Sequence, residues 1–140
     1  MTALRLMKES KVFFDTDVLL YLLSGDEMKA GQAEETIAGR GIISVQVLNE
    51  FASVAIRKLG MQLSEIQEIL HHVRAVCSVK PITIEVHDRG LRLAERYGFP
   101  IHDAMIIATA LLAGCVTLYS EDMQDGQVID DQLTIFNPFA

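Results

Sequence analysis

Ile101-His102-Asp103-Ala104-Met105-Ile106-Ile107-Ala108-Thr109-Ala110-Leu111-Leu112-Ala113-Gly114-Cys115-Val116-Thr117-Leu118-Tyr119-Ser120-Glu121-Asp122 is the stretch on which the fold turns. Between Ala104 and Ser120 it carries no charge. That run is roughly as long as the shortest membrane spans, but Gly114 and Thr117 interrupt it. It reads as a buried helix from Asp103 to Ala113, a stop at Gly114, and a buried strand from Val116 to Tyr119. An acid, Asp103, opens the helix, and another, Asp122, follows the strand.

Working outward, Lys11-Val12-Phe13-Phe14-Asp15 is a short apolar run that ends in an acid, the pattern of a buried strand. Val18–Leu23 predicts a short helix, ended by Ser24-Gly25-Asp26, and Lys29–Ala38 predicts a second, stopped by Gly39. Gly41–Ser44 is a second strand. Val47, Leu48, Phe51, Val54, Ala55 and Leu59 form a helical apolar stripe over Val45–Leu59, closed by Gly60. Ser64 and Gln67 have the spacing of a capping box for a helix running to about Val76. Val79–Ile82 predicts a third strand, and Pro81 places it at an edge. Thr83 caps a helix over Ile84–Tyr97, closed by Gly98, and Leu133–Phe136 is a fifth strand after a polar loop.

Strands alternating with helices call for crossover connections. The order predicts a three-layer α/β/α domain with a mainly parallel, about five-stranded sheet. A length of 140 residues suits one domain over 1–140, with 1–10 as a loosely ordered N-terminal extension. Residues 1–10 lack the apolar core of a signal peptide, which predicts a cytoplasmic protein with no membrane anchor. Cys77 and Cys115 stand alone, outside any Cys/His cluster, and read as buried, reduced thiols.

Ligands of parallel α/β sheets bind at the carboxyl ends of the strands, near the point where strand order reverses. Asp15 and Asp17 follow the first strand and Asp122 the fourth. If those strands are neighbours, Asp15 and Asp122 face one crevice. Asp103 has a plain alternative role, since an acid in a first helical turn is favoured by the helix dipole. Glu50 shares a helical side with Gln46, Ser53 and Arg57 and, taken alone, reads better as part of a solvent-facing stripe. Converging carboxylates raise one another's pKa values, a conflict that a hard divalent cation removes. Such a set suits phosphoryl chemistry with magnesium or manganese better than zinc hydrolysis. The formal charge of −7 is unusual for a nucleic-acid binder. A metal site concentrating the acids, or a partner's basic surface, accounts for it.

Four segments together resemble the PIN-domain family, in particular the VapC-type toxin nucleases of toxin–antitoxin pairs. They are Phe13-Phe14-Asp15-Thr16-Asp17-Val18-Leu19-Leu20, Ser44-Val45-Gln46-Val47-Leu48-Asn49-Glu50-Phe51, Ile101–Ala110 and Leu118-Tyr119-Ser120-Glu121-Asp122. Ile135-Phe136-Asn137-Pro138-Phe139 is similar to the ending of one branch. The resemblance implies a magnesium- or manganese-dependent ribonuclease that cuts RNA by in-line attack of a metal-bound water. Asp15, Glu50, Asp103 and Asp122 would form the catalytic metal site. Thr16 and Ser120 would bind or orient a ligand through their hydroxyls. It further implies a homodimer, and a small antitoxin partner whose tail enters the site. Two positions depart from the pattern: Asp17 stands where Asn or Ser is common and would add a ligand or alter metal preference, and Ser120 stands where Thr is common. Asp125 competes with Asp122 as the last metal ligand.

Other residues have plainer readings. His102 shapes the start of its helix, the adjacent His71 and His72 point apart and His87 has no distinguishing context. Arg89, Arg92 and Arg96 form a solvated face, with Glu85 and Asp88 four residues ahead of Arg89 and Arg92. Arg57, two turns along from Glu50, would meet phosphate at the rim of the site. Two other functions compete. One is a phosphatase opened by the Asp15-Thr16-Asp17 motif, which lacks a downstream lysine motif and leaves Glu50 unexplained. The other is a PIN-fold interaction module without catalysis.

Overall fold

The first described strand, β1 (Val12–Phe14), runs straight into α1 (Thr16–Leu20), with Asp15 as the residue between them. The computed structural model describes residues 11–140, so the expectation of a loosely ordered 1–10 lies outside the described residues. A 3-10 turn, Tyr21–Leu23, follows α1, which starts two residues earlier than the apolar run suggests because Asp15 caps it. Next comes α2 (Glu27–Ala38), whose start lies two residues ahead of the predicted Lys29. Asp26 caps it by accepting from the Met28 and Lys29 amides at 3.1 and 3.3 Å.

Then come β2 (Gly41–Ser44), α3 (Val45–Leu59), α4 (Leu63–Val76), β3 (Cys77–Lys80), α5 (Ile84–Tyr97), α6 (Ile101–Leu112), β4 (Thr117–Tyr119), β5 (Val128–Ile129) and β6 (Leu133–Phe136). Gly60 and Gly98 take left-handed φ values of 62° and 77° at the ends of α3 and α5, as their positions predict. The predicted capping box is displaced. Glu65, not Gln67, reaches back, and the Gln62 amide donates to its Oε1 at 3.0 Å. Strand β3 begins two residues before the predicted start and ends before Pro81, which has no N–H to offer the ladder.

The sheet has six strands in the order β3-β2-β1-β4-β6-β5. All neighbours are parallel except β5 and β6, and helices cover both faces in the three-layer arrangement. The expectation of about five strands misses β5, a two-residue strand inside the polar loop. The chain winds from β1 outward to β3, then returns to lay β4 on the other side of β1. The order therefore reverses between β1 and β4, with Phe14 paired to Tyr119. Strand β3 lies at an edge, as Pro81 suggests.

Phe13, Phe14, Ile42, Ile43, Leu118 and Ile135 fill the central strands at 5% exposure or less. Each such side chain contributes about 1.5–3 kcal/mol on burial. In α6 every residue from Ala104 to Leu111 is buried. The one hydroxyl there, on Thr109, donates to the Met105 carbonyl at 2.9 Å. Gly41 permits β2 to lie against β1. A Cβ there would come within 2.7 Å of Phe14 and 2.8 Å of Val12. Among the described residues no helix is long and apolar enough to cross a membrane.

Candidate active site

The crevice lies over the carboxyl ends of β1 and β4, at the reversal of strand order. Asp15 follows β1 and is buried. Its Oδ1 accepts from the Thr16 amide at 2.7 Å, and its Oδ2 accepts from the Ser120 hydroxyl at 2.9 Å across the gap between the two strands. The Asp15 amide in turn donates to the Tyr119 carbonyl at 3.0 Å. The two strand ends are thus laced together by one carboxylate and one hydroxyl.

Asp17 joins the same corner. Its Oδ2 accepts from the Glu121 and Asp122 amides, each at 3.0 Å, and from Ser120 Oγ at 3.4 Å. Its Oδ1 is buried with no partner, as is Thr16 Oγ1 beside it. Burial pushes the Asp15 carboxyl up to about 6, further raised by the charges of Asp103 and Asp122 and opposed by its two hydrogen bonds. Burial and the charge of Asp15 push Asp17 up to about 8. Asp103, in the first turn of α6, is also raised. Burial is the main cause, opposed by His102 and assisted by Asp122 and Glu50. Asp122 is exposed at the mouth of the crevice, where its charge reaches Asp15, Asp17 and Asp103.

Glu50 enters from α3, and its Oε2 pairs with His102 Nε2. The Gln46 amide nitrogen holds the other side of that imidazole, 2.9 Å from Nδ1 and 3.1 Å from the His102 carbonyl. His102 therefore bridges α3 to α6 inside the acid site, a larger part than shaping the start of a helix. Its position next to Asp103 was the available signal.

Tyr21, Lys29 and Glu121 were not singled out by the sequence. The Tyr21 hydroxyl donates to Glu121 Oε1 at 2.7 Å, and Lys29 Nζ lies 3.3 Å from that hydroxyl. The Phe139 ring packs on Tyr21 with centroids 4.4 Å apart. This set steadies the segment after β4 that carries Asp122. Asp125 is engaged differently, with Oδ1 accepting from the Asn137 amide at 2.8 Å and tying its loop to the C-terminal segment. Arg57 is exposed at the outer end of a groove that runs past Glu50. Arg89 corrects a further expectation. It pairs with Asp130 at 3.0 Å rather than with Glu85, and Arg96 and Tyr97 converge on the same carboxylate.

Apart from the His102 imidazole, which Glu50 and Gln46 already engage, the donors at the crevice are hard oxygens, which suits magnesium or manganese and not a soft metal. Two of them, Asp17 Oδ1 and Thr16 Oγ1, are buried without partners, and the carboxyls of Asp15, Asp17 and Asp103 are held above their ordinary pKa. A divalent cation would relieve both conditions, so the donor chemistry fits one. Among the described residues no group of three or more His, Cys, Asp or Glu side chains is by itself placed to hold a metal ion.

A mainly parallel α/β sheet with an acidic crevice at its switch point defines the class of the protein. Within that class the chain belongs to the PIN domain family, whose model matches residues 12–124. Solved structures share the fold. A toxin–antitoxin complex from Klebsiella pneumoniae is 22% identical, with 91% of this chain and 97% of that chain covered at a TM-score of 0.69. VapBC2 from Rickettsia felis, bound to a DNA fragment from its promoter, is 18% identical, covering 90% and 97% at 0.65. VapC20 of Mycobacterium tuberculosis, a toxin that cleaves the sarcin-ricin loop, is 19% identical, covering 79% and 89% at 0.62. No curated protein matches the chain.

Proposed function

We propose that the protein is a divalent-metal-dependent endoribonuclease, the toxin of a toxin–antitoxin pair, working in the cytoplasm as a homodimer restrained by a small antitoxin. The observation that supports the reading is the gathering of Asp15, Asp103, Asp122 and Glu50 about the switch point of a PIN fold, where burial and neighbouring acids hold the Asp15 and Asp103 carboxyls above the ordinary carboxylate range. The structural likeness to VapC20, a toxin that acts on RNA, supports the same substrate class.

Asp15, Asp103, Asp122 and Glu50 would hold magnesium or manganese, with Asp17 and Thr16 beside them. The cation would polarise the phosphoryl oxygen, lower the pKa of a bound water and stabilise the leaving oxygen. The chain's own residues do the positioning. Ser120 fixes Asp15 across the strand gap, and Asp17 fixes the backbone that presents Asp122. His102, gripped by Gln46, orients Glu50 at the opposite wall. Phe14 before Asp15 and Ala104 after Asp103 are fully buried, which anchors the backbone that carries both acids. Asp15 is locked by hydrogen bonds on both oxygens, which suits a ligand better than a free nucleophile and weighs against the phosphatase reading.

The test is cleavage of structured and single-stranded RNA by the wild-type protein and by Asp103→Ala, with magnesium, manganese or EDTA. Cleavage that requires both the metal and Asp103 is expected. Binding of RNA with no cleavage under any metal would leave a PIN-fold interaction module in its place.

A further inference from the structure

Beside the acid crevice, a groove of about 430 Å³ runs along α3. Gln46, Asn49, Ser53 and Arg57 line it from α3, where their spacing puts them on one side of the helix. Ile82, 48% exposed, forms the facing wall. Glu50, between Gln46 and Arg57 along α3, and His102 also line it. We infer that this groove is a subsite for the RNA strand flanking the cut bond, with Arg57 taking a phosphate of that strand on one side of Glu50, and Gln46, about 16 Å from Arg57 along the helix axis, accepting a hydrogen bond from a nucleotide on the other side. The inference rests on the ribonuclease reading and adds to it a direction for the substrate strand.

Three observations support it. First, Gln46 is oriented unambiguously. Its amide nitrogen faces the His102 carbonyl, which can only accept, so the amide oxygen points away from it. That oxygen is buried and has no partner among the described residues. A buried acceptor left unmet is unfavourable, so it calls for a donor from outside the chain. A base amine and a ribose 2′-hydroxyl are both such donors.

Second, Arg57 stands seven residues beyond Glu50, about 10 Å along the helix axis. It is exposed, and among the described residues no acid pairs with it. In a chain of net charge −7, a free guanidinium beside the acids is the natural landing point for a phosphate next to the one being cut. Third, the lining offers several kinds of contact to an RNA strand. Along α3 it runs from the amides of Gln46 and Asn49, past the acid Glu50 and the hydroxyl of Ser53, to the cation Arg57. Exposed Ile82 offers the apolar face on which a base or sugar rests.

The experiment uses the full chain and a labelled single-stranded RNA of mixed sequence, with calcium replacing magnesium so that binding is read without cleavage. For Arg57→Gln the dissociation constant should rise about tenfold at low salt, and the slope of log affinity against log salt should fall by about 0.7, the share of one phosphate contact on a single strand. Arg74→Gln, an exposed cation on α4, should change neither, and the melting temperatures of both variants should match wild type. In magnesium, the Arg57→Gln defect should fall on KM more than on kcat. DNA of the same sequence separates the two donors for Gln46, since weaker binding of DNA assigns the contact to the 2′-hydroxyl and equal binding assigns it to the base. If wild type binds and cuts RNA while Arg57→Gln keeps its affinity and salt slope, the subsite is wrong and the ribonuclease reading stands. If wild type neither binds nor cuts RNA, both fall. If Arg57→Gln keeps RNA binding but loses a Glu-rich peptide that wild type holds, the groove belongs to an acidic polypeptide instead.

Discussion

Replacing Asp17 by Asn should make the metal-free protein more stable. In the folded chain the Asp17 carboxyl is pushed up to about 8, chiefly by burial and by Asp15. The ordinary value is 3.8. The folded state therefore holds a proton that the unfolded chain releases, and stability falls as pH rises from about 4 to about 8. This is opposite to the behaviour of a salt-bridged carboxylate. A tenfold change in acidity is about 1.4 kcal/mol. The full difference would exceed 5 kcal/mol by this rule, and screening at the open mouth of the crevice reduces it to about 2 kcal/mol near pH 8. Asn keeps an oxygen to accept from the Glu121 and Asp122 amides and puts an uncharged NH2 where Oδ1 lacks a partner. For a domain of this size the gain is a rise in Tm of roughly 6 °C. The assay is thermal melting followed by circular dichroism in EDTA, at about pH 5 and about pH 8. The gain should appear at the higher pH and shrink to about a third of that at the lower one. Added magnesium should raise the wild-type Tm more than that of the variant. A variant that melts below wild type at the higher pH, in EDTA, would refute the reasoning. It would mean that Asp17 is an ionised staple whose amide bonds outweigh its burial.

Other outcomes follow from the same structure. Gly41→Ala should lower stability by about 1–3 kcal/mol, because the added methyl meets the Phe14 ring and Val12 inside the sheet; chemical denaturation measures it, and an unchanged midpoint would show that β1 and β2 separate easily. Asp130→Ala should cost about 1–2 kcal/mol, since the Tyr97 hydroxyl loses its carboxylate and Arg89 its ion pair; the check is the melting temperature beside that of Glu35→Ala, an exposed acid on α2, which should match wild type. Cys77 and Cys115 should resist a thiol reagent in the native state, because burial pushes their thiols up to about 11 and about 12; labelling should appear only with denaturant.

What could be read in advance was local or periodic. The apolar run of α6, the stripe on α3 and the acids at two strand ends lie within single segments, and the reversal between β1 and β4 follows from counting crossovers. The misses are long-range or very short. Two residues, Val128 and Ile129, are too few to show alternation, so β5 was hidden in a polar loop. Arg89 has an acid four residues behind it and another 41 residues ahead, and only the folded chain decides between them. At the site, Asp15, Asp103 and Asp122 fell at positions that the topology makes neighbours. The clamp of Gln46 on His102 joins helices 56 residues apart and has no signature in either segment.

The lacing of Asp15 to Ser120 spans 105 residues. One half of the crevice is therefore made well before β4 and the other only after β4 has left the ribosome. A growing chain folds from its N-terminal end, and β1 must wait for the far strand beside which it will lie. Until then the acids at positions 15 and 17 have no opposite wall. The crevice is in this way incomplete on the ribosome until its last contributing strand has been made.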